Sequence, residues 1–127
     1  MPQYLAIGNF FSQIRSIPDK GFLKTGNLNV ERDFIDVYDV VNIMWKLINN
    51  DKSYGEVINI CTGKSIPLIN LVNLMISLSR KKIENVIEGN RIRKDDHAIH
   101  YGDNKKLLSI IGNYKFISWE KTINKIM

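Results

Sequence analysis

The feature that most constrains this chain is an apolar stripe following Asp36. Val37, Val40, Val41, Met44, Trp45, Leu47 and Ile48 recur at helical spacing, and the stripe they form is wide. Such a helix must bury against a substantial surface. Asp36 or Asp39 can cap it, because a carboxylate accepts the free N–H groups of a first turn. The helix frays at Asn49-Asn50. After Gly55, the run Val57-Ile58-Asn59-Ile60-Cys61 reads as a buried strand, ended by Thr62-Gly63.

The same alternation runs through the rest of the chain. Leu5, Ile7, Phe10, Phe11 and Ile14 give residues 4–16 a helical face, and Pro18 to Gly21 make a turn. Phe22 to Thr25 is a short strand candidate, and Arg32 to Ile35 is a second extended piece. Pro67 suits the start of a helix, since its missing N–H costs nothing in a first turn. That helix carries Leu68, Leu71, Val72, Met75 and Leu78 to about Arg80. Val86-Ile87 is a further short strand, and residues 88–102 read as a basic loop. Asp103 caps a helix from Asn104 to Ile111, which Gly112 stops. Ser118 caps the last, Trp119 to Ile126. Helices alternating with short strands indicate an α/β fold in one domain, residues 1–127.

Composition narrows the function. With 127 residues, one cysteine and no long apolar run, the chain predicts a cytoplasmic domain without disulfide or membrane span. The net charge of +5 favours anionic partners. Basic residues gather from Arg80 to Lys106, but only Tyr101 interleaves with them, a poor stacking platform for single-stranded nucleic acid. The simplest reading of Arg80-Lys81-Lys82 is a solvated helix end. His97 and His100 have no third metal ligand nearby, so no metal site is expected. Cys61 reads as an inert core thiol, and Trp45 and Trp119 as core or helix-contact residues.

Several short motifs, taken in order, resemble the C-terminal, substrate-binding part of the extended short-chain dehydrogenases/reductases, the NAD-dependent epimerase/dehydratase family. They are Phe10-Phe11-Ser12-Gln13-Ile14, Gly26-Asn27-Leu28, Arg32-Asp33-Phe34-Ile35-Asp36-Val37, Gly55 to Ile60, Arg91-Ile92-Arg93, Gly102-Asp103 and Trp119-Glu120. The Arg-Asp-Phe-Ile-Asp-Val form is most similar to GDP-6-deoxy-D-mannose reductases. GDP-mannose 4,6-dehydratases and UDP-sugar epimerases are alternative relatives.

The resemblance implies a GDP-sugar ligand. Arg32 and Arg93 would hold its diphosphate, as a planar guanidinium grips two phosphate oxygens at once. Asp96 would accept two hydrogen bonds from the ribose diol. Asn27 and Leu28 would lie along the nucleotide pocket, and Arg91 is a further candidate beside Arg93. Lys94 stands where the family has proline.

The family's Gly-rich dinucleotide loop does not occur in these residues. Tyr101-Gly102-Asp103-Asn104-Lys105 fits Tyr-x-x-x-Lys, but Gly102 and Asp103 form a turn and a cap, whereas the family's catalytic pair rides one helix. The expectation is therefore a substrate-binding fragment with no catalytic residue and no bound cofactor, NAD(P) belonging to the full-length enzyme. In the family, the Asp36–Asn49 helix and the Val57–Cys61 strand pack against the cofactor half. Their exposure would favour association, with an upstream Rossmann-half chain or as a homo-oligomer. The alternative function is a non-catalytic module that binds a nucleotide sugar or a partner.

Overall fold

The computed structural model describes residues 5–91 and 97–127. Five helices and five strands follow one another: α1 (Ala6–Ser16), β1 (Lys20–Thr25), β2 (Glu31–Arg32), α2 (Val37–Ile48), β3 (Ile66–Pro67), α3 (Leu68–Ser79), β4 (Lys82–Ile87), β5 (Ile99–His100), α4 (Lys105–Ile111) and α5 (Trp119–Ile126). The α/β expectation holds. β1 pairs with β4 in parallel, from Lys20 beside Lys82 to Thr25 beside Ile87. β2 lies between β3, antiparallel, and β5, parallel. A parallel pair needs a long crossover, and the route from β1 to β4 runs through α3.

One cluster forms the main core. It joins Phe10 and Ile14 of α1, Leu23 of β1, Leu28 and Val30 of the following turn, Leu68, Leu71, Val72 and Met75 of α3, and Ile123 of α5. Trp119 packs against its edge. β1 alternates because its inward residues, Leu23 and Thr25, are fully buried while its other face is wetter. The Thr25 hydroxyl is satisfied by donating to Asn85 Oδ1 of β4 at 2.7 Å.

Two side chains lock α1 onto this layer. The Gln13 amide pairs with the backbone of Lys24 in both directions, each bond 2.9 Å, as a neighbouring strand would. The Lys81 ammonium donates to the carbonyls of Ile14, Arg15 and Ile17. These carbonyls sit at a helix C-terminus, where they lack intrahelical partners and a cation is favoured. Lys81 therefore caps another helix, whereas Arg80 and Lys82 are exposed at the end of α3 as expected.

Buried carboxylates organise the other side. Asp36 caps α2 as expected, accepting from Tyr38 N at 2.9 Å, and also accepts from the Thr122 hydroxyl at 2.5 Å. Asp39 accepts from the Tyr114 hydroxyl at 2.9 Å and from Ile117 N at 2.8 Å. Together they tie the start of α2 to α5 and to the segment preceding it. α2 also packs against α4, and Ile43 and Leu107 are fully buried there, outside the main cluster.

Most of the α2 stripe faces outward, Val40 and Leu47 being half-buried. Val37, Tyr38, Val41, Met44, Trp45 and Ile48 are all exposed, Trp45 by 70%. Residues 57–61 are not a strand and not buried; Val57 is 85% exposed. A strand needs a ladder, and no described strand pairs with this segment. Trp45 is thus not a core residue, whereas Trp119 is a helix-contact residue as expected.

Smaller differences follow from tertiary pairing. β4 begins at Lys82, not Val86, because β1 supplies a six-residue edge. β2 is shorter than the extended piece expected from Arg32 to Ile35. The 88–102 loop contains a short 3-10 turn at Gly89–Arg91 and strand β5. Asn104 stands at the N-cap of α4, with Asp103 accepting from Lys105 N at 2.8 Å.

Candidate functional site

An open cleft of about 390 Å³ lies where α1, the end of β1, the Gly26–Leu28 turn and β2 meet. Arg32, Arg91, Asn27 and Leu28 all line it, so four of the six residues singled out from sequence converge on one place. The other two, Arg93 and Asp96, fall outside the described residues. Leu28 takes part mainly through the core, being 4% exposed.

Each lining group has an identifiable support. Arg32 follows Glu31 in β2, and its guanidinium donates to the carbonyls of Glu31 at 2.7 Å and His97 at 2.8 Å. Asn27 closes its own turn by accepting from Asn29 N at 2.9 Å. Gly26 matters for space: a Cβ there would run into the carbonyl oxygen of Arg91. The glycine lets the Gly89–Arg91 turn lie directly on the end of β1. Glu88 N donates to Thr25 O at 2.8 Å, fixing the same approach.

The rim of the cleft is charged. Glu88 pairs with Lys24 at 3.0 Å through one oxygen and with Arg91 at 2.7 Å through the other. These two cations hold the Glu88 carboxyl below its usual range, Lys24 contributing most. Arg91 also donates to Asn9 Oδ1 at 3.3 Å, and Asn9 Oδ1 accepts from Gln13 at 2.6 Å. Lys24, Asn9 and Glu88 were not singled out from sequence. The signal available was the strand ending at Gly26, which carries Lys24 to the same turn.

Asp33 does different work from its neighbour Arg32. Its carboxylate accepts from Thr62 N at 3.1 Å, the Thr62 hydroxyl at 2.6 Å, Gly63 N at 3.0 Å and Gly102 N at 3.4 Å. One side chain thereby binds two loops to the strand that presents Arg32. Cys61 sits beside this knot, half-buried; burial, and then the Asp33 charge, push its thiol up. A raised thiol is a poor nucleophile, which agrees with an inert cysteine.

Tyr101 and Lys105 do not ride one helix, as the family's catalytic pair would. Tyr101 is 59% exposed and precedes a helix that starts only at Lys105. β1 leads into the Gly26–Leu28 turn and not into a helix N-terminus. No group of three or more potential metal ligands occurs among the described residues. No described helix is long and apolar enough to cross a membrane.

Comparison with known proteins agrees with this geometry. Residues 6–61 match the NAD dependent epimerase/dehydratase family. The chain is 37% identical over 99 residues to GDP-6-deoxy-D-talose 4-dehydrogenase of Aggregatibacter actinomycetemcomitans, covering 76% of this chain and 33% of that protein. It is 26% identical over 105 residues to GDP-6-deoxy-D-mannose reductase of Pseudomonas aeruginosa, covering 83% and 34%. The chain therefore spans about a third of the length of these curated relatives. Its fold superposes on RMD from Pseudomonas aeruginosa, solved with NADPH, with a TM-score of 0.84 at 22% identity, covering 99% of this chain and 41% of that one. The fold is that of the C-terminal portion of an extended short-chain dehydrogenase/reductase, similar in sequence over residues 6–61 to the NAD dependent epimerase/dehydratase family, with GDP-6-deoxyhexose oxidoreductases among its relatives.

Proposed function

We propose that this chain supplies the nucleotide-sugar grip of an NAD(P)-dependent oxidoreductase acting at the 4-position of a GDP-6-deoxyhexose. The supporting observation is the convergence of Arg32, Lys24 and Arg91 on one cleft floored by the Gly26–Leu28 turn. Three cations around a concave site suit a diphosphate, and arginine forks hold it in a defined orientation. Both curated relatives act on GDP-6-deoxyhexoses at the level of oxidation or reduction, as their names state.

In this reading the chain binds and orients; the hydride, the proton and the residues that move them lie outside these 127 positions. Arg93 and Asp96 complete the grip, the first on the diphosphate and the second on the ribose. The exposed face of α2 and residues 57–61 meets the remainder of such an enzyme, on the same chain or on another.

Calorimetric titration of the purified protein with GDP tests the reading. Arg32→Ala should weaken binding by roughly tenfold or more, the scale of one charge-assisted pair, and Arg32→Lys should restore only part of it. Amide spectra of each variant report whether it is folded. No binding by the parent protein, or equal binding by folded Arg32→Ala, overturns the proposal.

A further inference from the structure

Glu88 is an unexpected group beside the cleft proposed to take an anion, adjoining it through two of the cations that line it. It is a carboxylate, and it occupies both rim cations at once, Lys24 at 3.0 Å and Arg91 at 2.7 Å. Its place is fixed by backbone: Glu88 N is bound to Thr25 O, and Arg91 N to Glu88 O at 3.0 Å. Packing of the Arg91 backbone against Gly26 holds the turn in register. The backbone that carries the carboxylate is therefore fixed beside the cleft, and the two cations it pairs with are partly exposed.

We propose that Glu88 is a specificity-determining residue that sets the cleft to prefer a nucleotide sugar over the free nucleoside diphosphate. The inference rests on the cleft being the nucleotide-sugar site proposed above. A sugar-linked diphosphate is a diester and carries one charge on each phosphorus. A free diphosphate ends in a monoester, whose second pKa of about 6 gives it a further negative charge at neutral pH. A fixed carboxylate at the rim repels both ligands, but it repels the more highly charged one more strongly. Glu88 also neutralises part of the field of Lys24 and Arg91, which would otherwise favour the ligand with the greater charge. The result is a cleft that binds the sugar-linked form and discriminates against its hydrolysed counterpart.

The test compares GDP with GDP-mannose by calorimetry at low ionic strength, on the parent protein, Glu88→Gln and Glu88→Asp. Glu88→Gln keeps the shape and removes the charge. It should strengthen GDP binding relative to GDP-mannose on the order of three- to tenfold, the Coulomb effect of one charge at this range in a wet site. Raising the salt should shrink that difference. Glu88→Asp, which retains the charge, should stay close to the parent ratio. An unchanged ratio in folded Glu88→Gln, or equal weakening of both ligands, overturns the inference and leaves the nucleotide-sugar reading intact. Failure of the parent protein to bind either ligand overturns both.

Discussion

The two sides of α2 differ sharply, although both carry apolar side chains. The inward side closes on α4 and α5 through Ile43, Asp39 and Asp36, all at most 5% exposed. The outward side presents Val41, Met44, Trp45 and Ile48 to solvent, continuing toward Tyr54 and Val57. Elsewhere, the layer of α1, β1, α3 and α5 buries a contiguous core. Apolar residues alone did not decide burial; the availability of a facing surface did. Exposed apolar patches commonly serve as interaction surfaces, which is the role proposed above for this face.

The contrast can be broken most strongly from the packed side. Leu71→Ala empties a fully buried position in α3, and denaturant unfolding should show a loss of about 2–5 kcal/mol. A loss below 1 kcal/mol would mean that the main core is not closed as described.

Asp36→Asn should cost less, about 0.5–1.5 kcal/mol, because asparagine still caps α2 but replaces the charged acceptor of the Thr122 bond with a neutral one. Its pH signature is directional. The Thr122 hydroxyl, more than any other group, lowers the Asp36 carboxyl below its ordinary value of 3.8. Its contribution is therefore complete above that value and is lost as pH falls through the lower folded value. Acid unfolding of Asp36→Asn should be less steep than that of the parent below about pH 4. Identical acid limbs would remove Asp36 from the account.

Trp45→Ser should have the smallest effect on folding stability, within about 0.5 kcal/mol, because the indole is 70% exposed. It should nevertheless reduce concentration-dependent association in sedimentation velocity. A large stability loss, with association unchanged, would mean that this face is already covered within the chain.

Much of this was legible in the sequence. The five helices appear close to where periodicity and caps put them, because each signal is local: Asp36 before α2, Pro67 before α3, Gly112 after α4 and Ser118 before α5. The cleft was legible in part, since Arg32, Asn27, Leu28 and Arg91 belong to recognisable motifs. What sequence reading missed comes from contacts between distant residues. Lys81 reads as a solvated cation until α1 is seen ending beside it. Lys24 and Glu88 lie far apart along the chain and meet only because β1 and β4 run in parallel register.

The 57–61 segment marks the boundary between the two kinds of information. Its run of β-branched residues, Val57, Ile58 and Ile60, carries a strand preference that the sequence alone determines. Whether a strand forms is decided by tertiary structure, because its backbone donors and acceptors need a neighbouring edge. Among the described residues no strand provides one. Local signals in the sequence thus determined the helices, their caps and the α/β class. Tertiary structure decided which apolar faces are buried and how the cations of the cleft are paired, since both depend on what lies opposite in space.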